Sequence, residues 1–179
     1  MMFDHVSDQP VIDTARLTLR AVRKSDTALL DLYGGDERVA HNTTSIPHPL
    51  PPGSTATFIA QAQAPDRAED IWIMDGTRAG LPEVVGVILL TRMDRQQSEI
   101  GYWVAPGFWN AGIASEAVEA MVTSNPHDAR TLFGSVFQDN PASARVLTHV
   151  GFDYLGDAEA YSVARDANVA TWTYSRAMV

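Results

Sequence analysis

The sequence predicts an α+β fold: a mixed, mostly antiparallel twisted sheet of about six or seven strands, flanked by about four helices. Three observations carry this. Between residues 71 and 104 lie three apolar or alternating runs joined by short polar turns, the pattern of an antiparallel meander. Within Glu99–Met121 the apolar period changes from two to that of a helix, so a strand, a tight turn and a helix follow in immediate succession. A further strand, Thr131–Phe137, follows that helix, and strands joined by a helical crossover are parallel neighbours.

Taken in order, residues 1–12 lack periodicity and read as a loose lead-in to a single domain over 1–179, with no repeat or linker. Arg16–Val22 alternates and is the first strand. Ser25 is the expected N-cap of the next helix, with Asp26 in its first turn and Gly34-Gly35 at its end. The stretch from His41 to Gly53 is too rich in proline for regular structure throughout. A helix over Ser54–Ala64 carries Ala56, Phe58, Ile59 and Ala62 near one face.

Ile71–Met74 is a short apolar strand, and Val84–Leu90 is apolar enough to be buried on both faces. In the Glu99 strand, Ile100, Tyr102 and Val104 alternate with Gly101, Trp103 and Ala105 until Pro106-Gly107 stops it. The next helix places Ala114, Ala117, Val118, Met121 and Val122 on one face. After the Thr131 strand, Asn140 precedes Pro141 as N-cap before first helical residue, and Gly151 closes that helix as a left-handed cap with Phe152 as its apolar partner. Asp153–Gly156 and Thr171–Arg176 form a final hairpin.

Composition narrows the function. The formal net charge is −9, which argues against nucleic acid as a partner and suits either cationic substrates or mere solubility. Zero cysteines exclude disulfides, thiolate metal sites and a cysteine acyl-enzyme. No apolar run approaches a membrane span and no leader pattern precedes Ile12, so the expected location is the cytoplasm, with no membrane partner. No Gly-x-x-x-x-Gly-Lys-Ser/Thr motif exists to support a nucleotide triphosphatase.

The junction Trp109-Asn110-Ala111-Gly112-Ile113-Ala114 is built of small residues where a helix begins. Unpaired amides and the helix dipole there suit a phosphate, and small side chains let it approach the backbone. The alternative is a helix start whose small residues only pack against the sheet. With no lysine or arginine between Arg95 and Arg130, charge neutralisation falls mainly to amides.

This junction resembles the acetyl-CoA signature of the GNAT acetyltransferases, Q/R-x-x-G-x-G/A, with Gly112 and Ala114 in its last two fixed positions. Trp109 stands in the Gln/Arg position. It is similar to the Trp-Gly-x-Gly-Tyr-Ala-x-Glu-Ala version of the RimJ/RimL-like branch, whose ending fits Ser115-Glu116-Ala117 and whose first glycine is replaced by Asn110. The opening T-x-R-L-x-L-R and the Asn-x-x-Ser segment before a Gly-Phe helix end resemble the same branch.

The resemblance implies a splay between the fourth and fifth predicted strands, which begin at Glu99 and Thr131 and hold acetyl-CoA between them. It implies cofactor contacts from the backbone near Tyr102, Trp103 and Val104, from Trp109, Asn110, Ala111, Gly112, Ile113 and Ala114, and from Asn140 and Ser143. It also makes the first two helices and their loop one wall of the acceptor groove, where His41 and His48 gain no catalytic role. No metal is required. An amine acceptor needs a base, and Glu99, at the head of the central strand, is the candidate, with a raised proton affinity if partly buried. Glu116 is better explained by the helix dipole. Many family members carry a tyrosine seven residues after the asparagine to protonate the leaving thiolate. Leu147 occupies that position here; Ser143, three residues after Asn140, matches the serine of the RimJ/RimL-like pattern, which implies a hydrogen bond to sulfur, the alternative being a polar residue of the first helical turn. The expected activity is direct acetyl transfer to a primary amine, of a peptide or protein N-terminus or of a small molecule. An acyl-CoA-binding sensor of the same fold, or a structural protein in which the glycine turn is only packing, are the alternatives at this point; a homodimer is compatible with the sequence but no pattern specifies one.

Overall fold

A computed structural model describes residues 9–178. Eight strands form one sheet: β1 (Ile12–Asp13), β2 (Thr18–Ala21), β3 (Glu69–Asp75), β4 (Gly86–Met93), β5 (Gln97–Val104), β6 (Thr131–Phe137), β7 (Asp153–Ser162) and β8 (Ala167–Ala177). Five helices flank them: α1 (Thr27–Gly34), α2 (Glu37–His41), α3 (Ser54–Gln63), α4 (Ile113–Ser124) and α5 (Pro141–His149). The order across the sheet is β1-β2-β3-β4-β5-β6-β8-β7, and only β5 and β6 are parallel. The expected meander is β3-β4-β5, and the crossover helix between the parallel pair is α4. No helix among the described residues is long and apolar enough to cross a membrane.

Strand alternation divides the core. Trp72, Met74, Ile88, Leu90, Ile100 and Val104 face α4 and α5 and join Ala117, Val118, Met121 and Leu147 in the larger cluster. Ile71, Ile73 and Val87 face the other way, against Leu30 of α1 and Ile59 of α3. α5 ends in a Schellman motif: Gly151, at φ 90°, donates to Thr148 O and the Phe152 N–H donates to Leu147 O at 3.0 Å.

Several expectations change. The lead-in is not loose as far as it is described, because Gln9 Nε2 donates to Ile71 O, Trp72 Nε1 donates to Pro10 O, and Ile12 pairs with Leu19. These contacts create an extra strand, β1, so the first predicted strand is β2; residues 1–8 lie outside the described residues. Ser25 does not cap α1. Asp26 does the local work instead, accepting from the Arg23 N–H at 2.8 Å, and it is buried in an ion cluster in which Arg20 pairs with Asp26 and Asp75, each at 2.8 Å. α2 went unforeseen because its five residues carry too little periodicity, although Asp36 caps it through the Arg38 N–H. On α3 the buried positions are Thr55, Ile59 and Ala62, while Ala56 is exposed. Thr55 is buried because its hydroxyl donates to Asp31 of α1.

Candidate active site

The site begins where β5 and β6 part. They pair only at Gln97–Thr131, Ser98–Leu132 and Glu99–Phe133, after which the two strands run on without each other. This is the expected splay, between β5 and β6 because of the added β1. The closed end is pinned from below: buried Ser98 Oγ lies 2.8 Å from His127 Nδ1, and His127 Nε2 lies 2.7 Å from Asp70 Oδ2. Arg67 and Arg92 also bond Asp70. Burial would raise the Asp70 pKa, but the His127 hydrogen bond and the two guanidinium charges outweigh it and lower it. Ser98 is 2 % exposed, so this Ser-His-Asp row braces the sheet and has no access to a substrate.

Above the fork lies a cleft of about 1530 Å³, bounded by β5 from Glu99 to Val104, the first turn of α4, the start of α5 and the α1–α3 region. On the β5 edge, the Trp103 carbonyl lies 2.4 Å from where a Gly86 Cβ would stand, so Trp103 turns its backbone to β4. Backbone groups alternate sides along a strand, which turns those of Tyr102 and Val104 to the open side. The Val104 carbonyl is already occupied by Trp109 Nε1 at 2.6 Å. Of the three residues, Tyr102 and Val104 therefore present backbone groups to the cleft, and Trp103 contributes its indole to the α1–α3 face.

At the α4 end, Asn110 (φ 60°) and Gly112 (φ 76°) are both left-handed. The first backbone bond closing the helix runs from the Glu116 N–H to Gly112 O, and the N–H groups of residues 110–115 donate to no acceptor among the described residues. These free amides at the positive end of a helix form a concave donor set that matches a diphosphate. Ile113 also anchors the loop, its side chain being 2 % exposed in the core. Two cations lie beside these amides: the fold brings Arg16 Nη2 to 3.5 Å from the position a Gly112 Cβ would take, and the Arg38 guanidinium to 6.0 Å from the Trp109 ring centroid. Arg16 is held by Glu116, which accepts from its Nε at 2.9 Å and its N–H at 3.0 Å. Glu116 thus serves as a tether, and although its burial raises its pKa, the bonds from Thr14 and Arg16 lower it on balance.

Glu99 stands at the fork itself. Its carboxylate is exposed to the cleft, on the α1–α3 face with Gly101 and Trp103. The surrounding walls remove enough water to raise its pKa, and the Glu69 carboxylate raises it further. Glu69 is two strands away in the same row, through Thr91, whose hydroxyl donates to Glu69 Oε2 at 2.9 Å. Glu69 carries no signal in the linear pattern, since the apolar run of β3 starts two residues later.

On the opposite side of β5, the Tyr102 hydroxyl lies 2.9 Å from Ser143 Oγ and donates to Ser143 O at 3.0 Å. Burial pushes the Tyr102 pKa up to about 12, against a small pull from the Ser143 bond, so the phenol stays protonated. Asn140 precedes α5 as expected, but it does not cap it: its side chain makes no cap hydrogen bond, and the Ser143 N–H reaches its backbone oxygen at 3.2 Å. The amide is left free for a ligand. Leu147 is 1 % exposed in the core, with no acid in that position. His41 ends α2 and His48 lies in the loop after it, and neither lines the cleft.

A family model described as an acetyltransferase (GNAT) domain matches residues 16–153. The chain is 27% identical over 175 residues to an uncharacterized N-acetyltransferase, YoaA, of Bacillus subtilis (strain 168), covering 93% of this chain and 96% of that protein. Among solved structures, the microcin self-immunity acetyltransferase MccE in complex with acetyl-CoA and AMP superposes with a TM-score of 0.78 at 16% identity, covering 91% of this chain and 93% of the other. RimL, a ribosomal alpha-N-protein acetyltransferase in complex with coenzyme A, gives 0.78 at 18% identity over 94% and 98%. Free amides at the head of α4, a sheet that opens beyond Glu99, and a family match spanning both describe one thing: the chain belongs to the GNAT family of acetyl-CoA-dependent N-acetyltransferases.

Proposed function

We propose that this chain transfers an acetyl group from acetyl-CoA directly to a primary amine, with Glu99 as the base. The observation that carries the reading is the position of Glu99, a carboxylate of raised proton affinity at the point where β5 and β6 part. The amides of residues 110–115 would hold the diphosphate, and Asn140 and the open backbone of Tyr102 and Val104 would hold the pantetheine arm. When bound, acetyl-CoA supplies the acetyl group as a thioester that an amine attacks with no covalent bond to the protein. Glu99 accepts the proton the amine loses, directly or through water. A cleft-facing N–H of β5 donates to the carbonyl oxygen as negative charge develops on it. Ser143 Oγ, 2.9 Å from the Tyr102 hydroxyl, can turn its own proton to the departing sulfur.

The acceptor side supports an amine arriving as a cation. Glu69 and Glu99 have no ion-pair partner among the described residues, while Phe58, Leu89 and Trp103 supply apolar wall. A peptide or protein N-terminal amine fits this description, as does a small amine with an apolar body. RimL, which shares the fold, acts on a protein N-terminus. Free-thiol release from acetyl-CoA in the presence of a panel of peptides and small amines tests the proposal. Acetyl-CoA binding with no thiol release for any amine would favour the alternative, a sensor of the same fold, for which the buried Leu147 in the tyrosine position speaks.

A further inference from the structure

Two walls of the cleft are far apart in sequence: the acceptor-side loop after α2, and the turn between β6 and α5 that presents Asn140. His41 Nε2 at the end of α2 lies 4.0 Å from the Asp139 carboxylate of that turn, and one further side chain hydrogen-bonds both walls. Arg165 lies in the turn between β7 and β8. Its Nε and Nη2 donate to His41 O at 3.0 and 2.8 Å, and its Nη1 and Nη2 donate to the Asp139 carboxylate at 2.6 and 3.0 Å. The same guanidinium lies 4.7 Å from the Phe137 ring centroid, and the Val163 N–H donates to Thr44 O at 3.0 Å. The Arg165 side chain is 14% exposed while Asp139 is 53% exposed, so the guanidinium is covered and held by its fork geometry, and the carboxylate it grips stays in water.

We propose that Arg165 is a positioning residue for acetyl-CoA, holding Asn140 at its place on the cleft wall while fixing the acceptor loop opposite. The Asn140 side chain has no capping bond of its own, so its location is that of the turn, which closes through the Asn140 N–H to Phe137 O at 2.9 Å. Arg165 grips this turn at Phe137 and at Asp139. Gln138 ties the same turn to β8 through Ala170 O and Thr171 O, so loss of Arg165 frees one side of the turn without unfolding it. The arginine also explains Asp139, whose pKa is lowered chiefly by that bond.

The inference rests on the reading of Asn140 as a pantetheine ligand, and a double-mutant cycle in acetyl-CoA affinity tests it by calorimetry on the full chain. Arg165→Ala is expected to raise Kd about tenfold, the scale of one charge-assisted hydrogen bond. Arg165→Lys, which keeps charge without the fork, and Asp139→Asn, which keeps shape without charge, are expected to fall between Arg165→Ala and the unmodified chain. In an Asn140→Ala background, Arg165→Ala is expected to add no further loss, which a merely structural role would not produce. Unchanged affinity in Arg165→Ala, or losses that add independently, overturns the positioning role and leaves the cofactor reading standing. An unmodified chain that binds no acetyl-CoA overturns both.

Discussion

On the α4–α5 side of the sheet, the larger cluster of buried residues runs without a break from Leu17 through Met121 to Tyr174, and the proposed cofactor cradle before α4 is mounted on it. On the α1–α3 side a smaller cluster stops short of the fork, and the floor continues as Glu69, Thr91 and Glu99. The difference teaches where each task can be placed. A diphosphate and an extended arm are recognised by backbone, which needs a rigid support. In the proposed function an amine is recognised by side chains at the edge of a thinner core, bordered by α2 and the proline-rich loop after it, where sequence can vary at little structural cost.

The largest effect expected from this division is on chemistry. Glu99→Gln is expected to lower turnover by about 10²- to 10⁴-fold, the usual worth of a general base, while acetyl-CoA affinity measured by calorimetry stays near that of the unmodified chain. A parallel loss of cofactor affinity would show that the two sides are not separable. Packing should follow the same line. Leu147→Ala on the thick side is expected to cost about 2–5 kcal/mol in chemical denaturation, and Phe58→Ala on the half-buried side roughly 1–2 kcal/mol. Equal costs would erase the contrast in core depth.

A smaller effect is expected at the cradle. Gly112→Ala forces an alanine to φ 76°, which costs about 1–2 kcal/mol, and acetyl-CoA affinity should drop with it while the response to amine concentration holds. An alanine variant with unchanged affinity would remove the left-handed turn from cofactor binding. The finest test is one of pH. Because Glu99 has a raised pKa, its basic form is lost as pH falls through that value, and turnover should fall on the acid side at a higher pH than an ordinary glutamate would give. The second cause of that shift is the Glu69 charge, so Glu69→Gln should move the acid limb to lower pH. A limb that stays in place would detach Glu69 from the base.

Much of this was legible along the chain. The strand-turn-helix from Glu99 to Met121 announces itself because the period change and the glycine are local events, and the cap at Gly151-Phe152 is equally local. Glu99 was legible as a candidate from its place at the head of an alternating strand. Glu69 was not, since its relevance arises from register across β4 and no run of sequence encodes it. Asn140 was legible as a helix-start residue but not as one with an idle amide. Ser25 misled, because hydroxyl-before-helix is a local rule and Arg20, a strand away, claims the neighbouring Asp26 through a buried ion pair.

Sequence alone settled the longer strands and helices though not β1 or α2, the order of the meander and its crossover, and the loop that opens α4, because hydrophobic period and glycine placement act over a few residues. Tertiary structure alone decided how far β5 and β6 pair, what charge surrounds Glu99, that Arg16 reaches the cradle, and that Arg165 joins His41 to Asp139. Those outcomes depend on groups tens of residues apart meeting at distances where hydrogen bonds and charge act, and a linear pattern carries no record of such meetings.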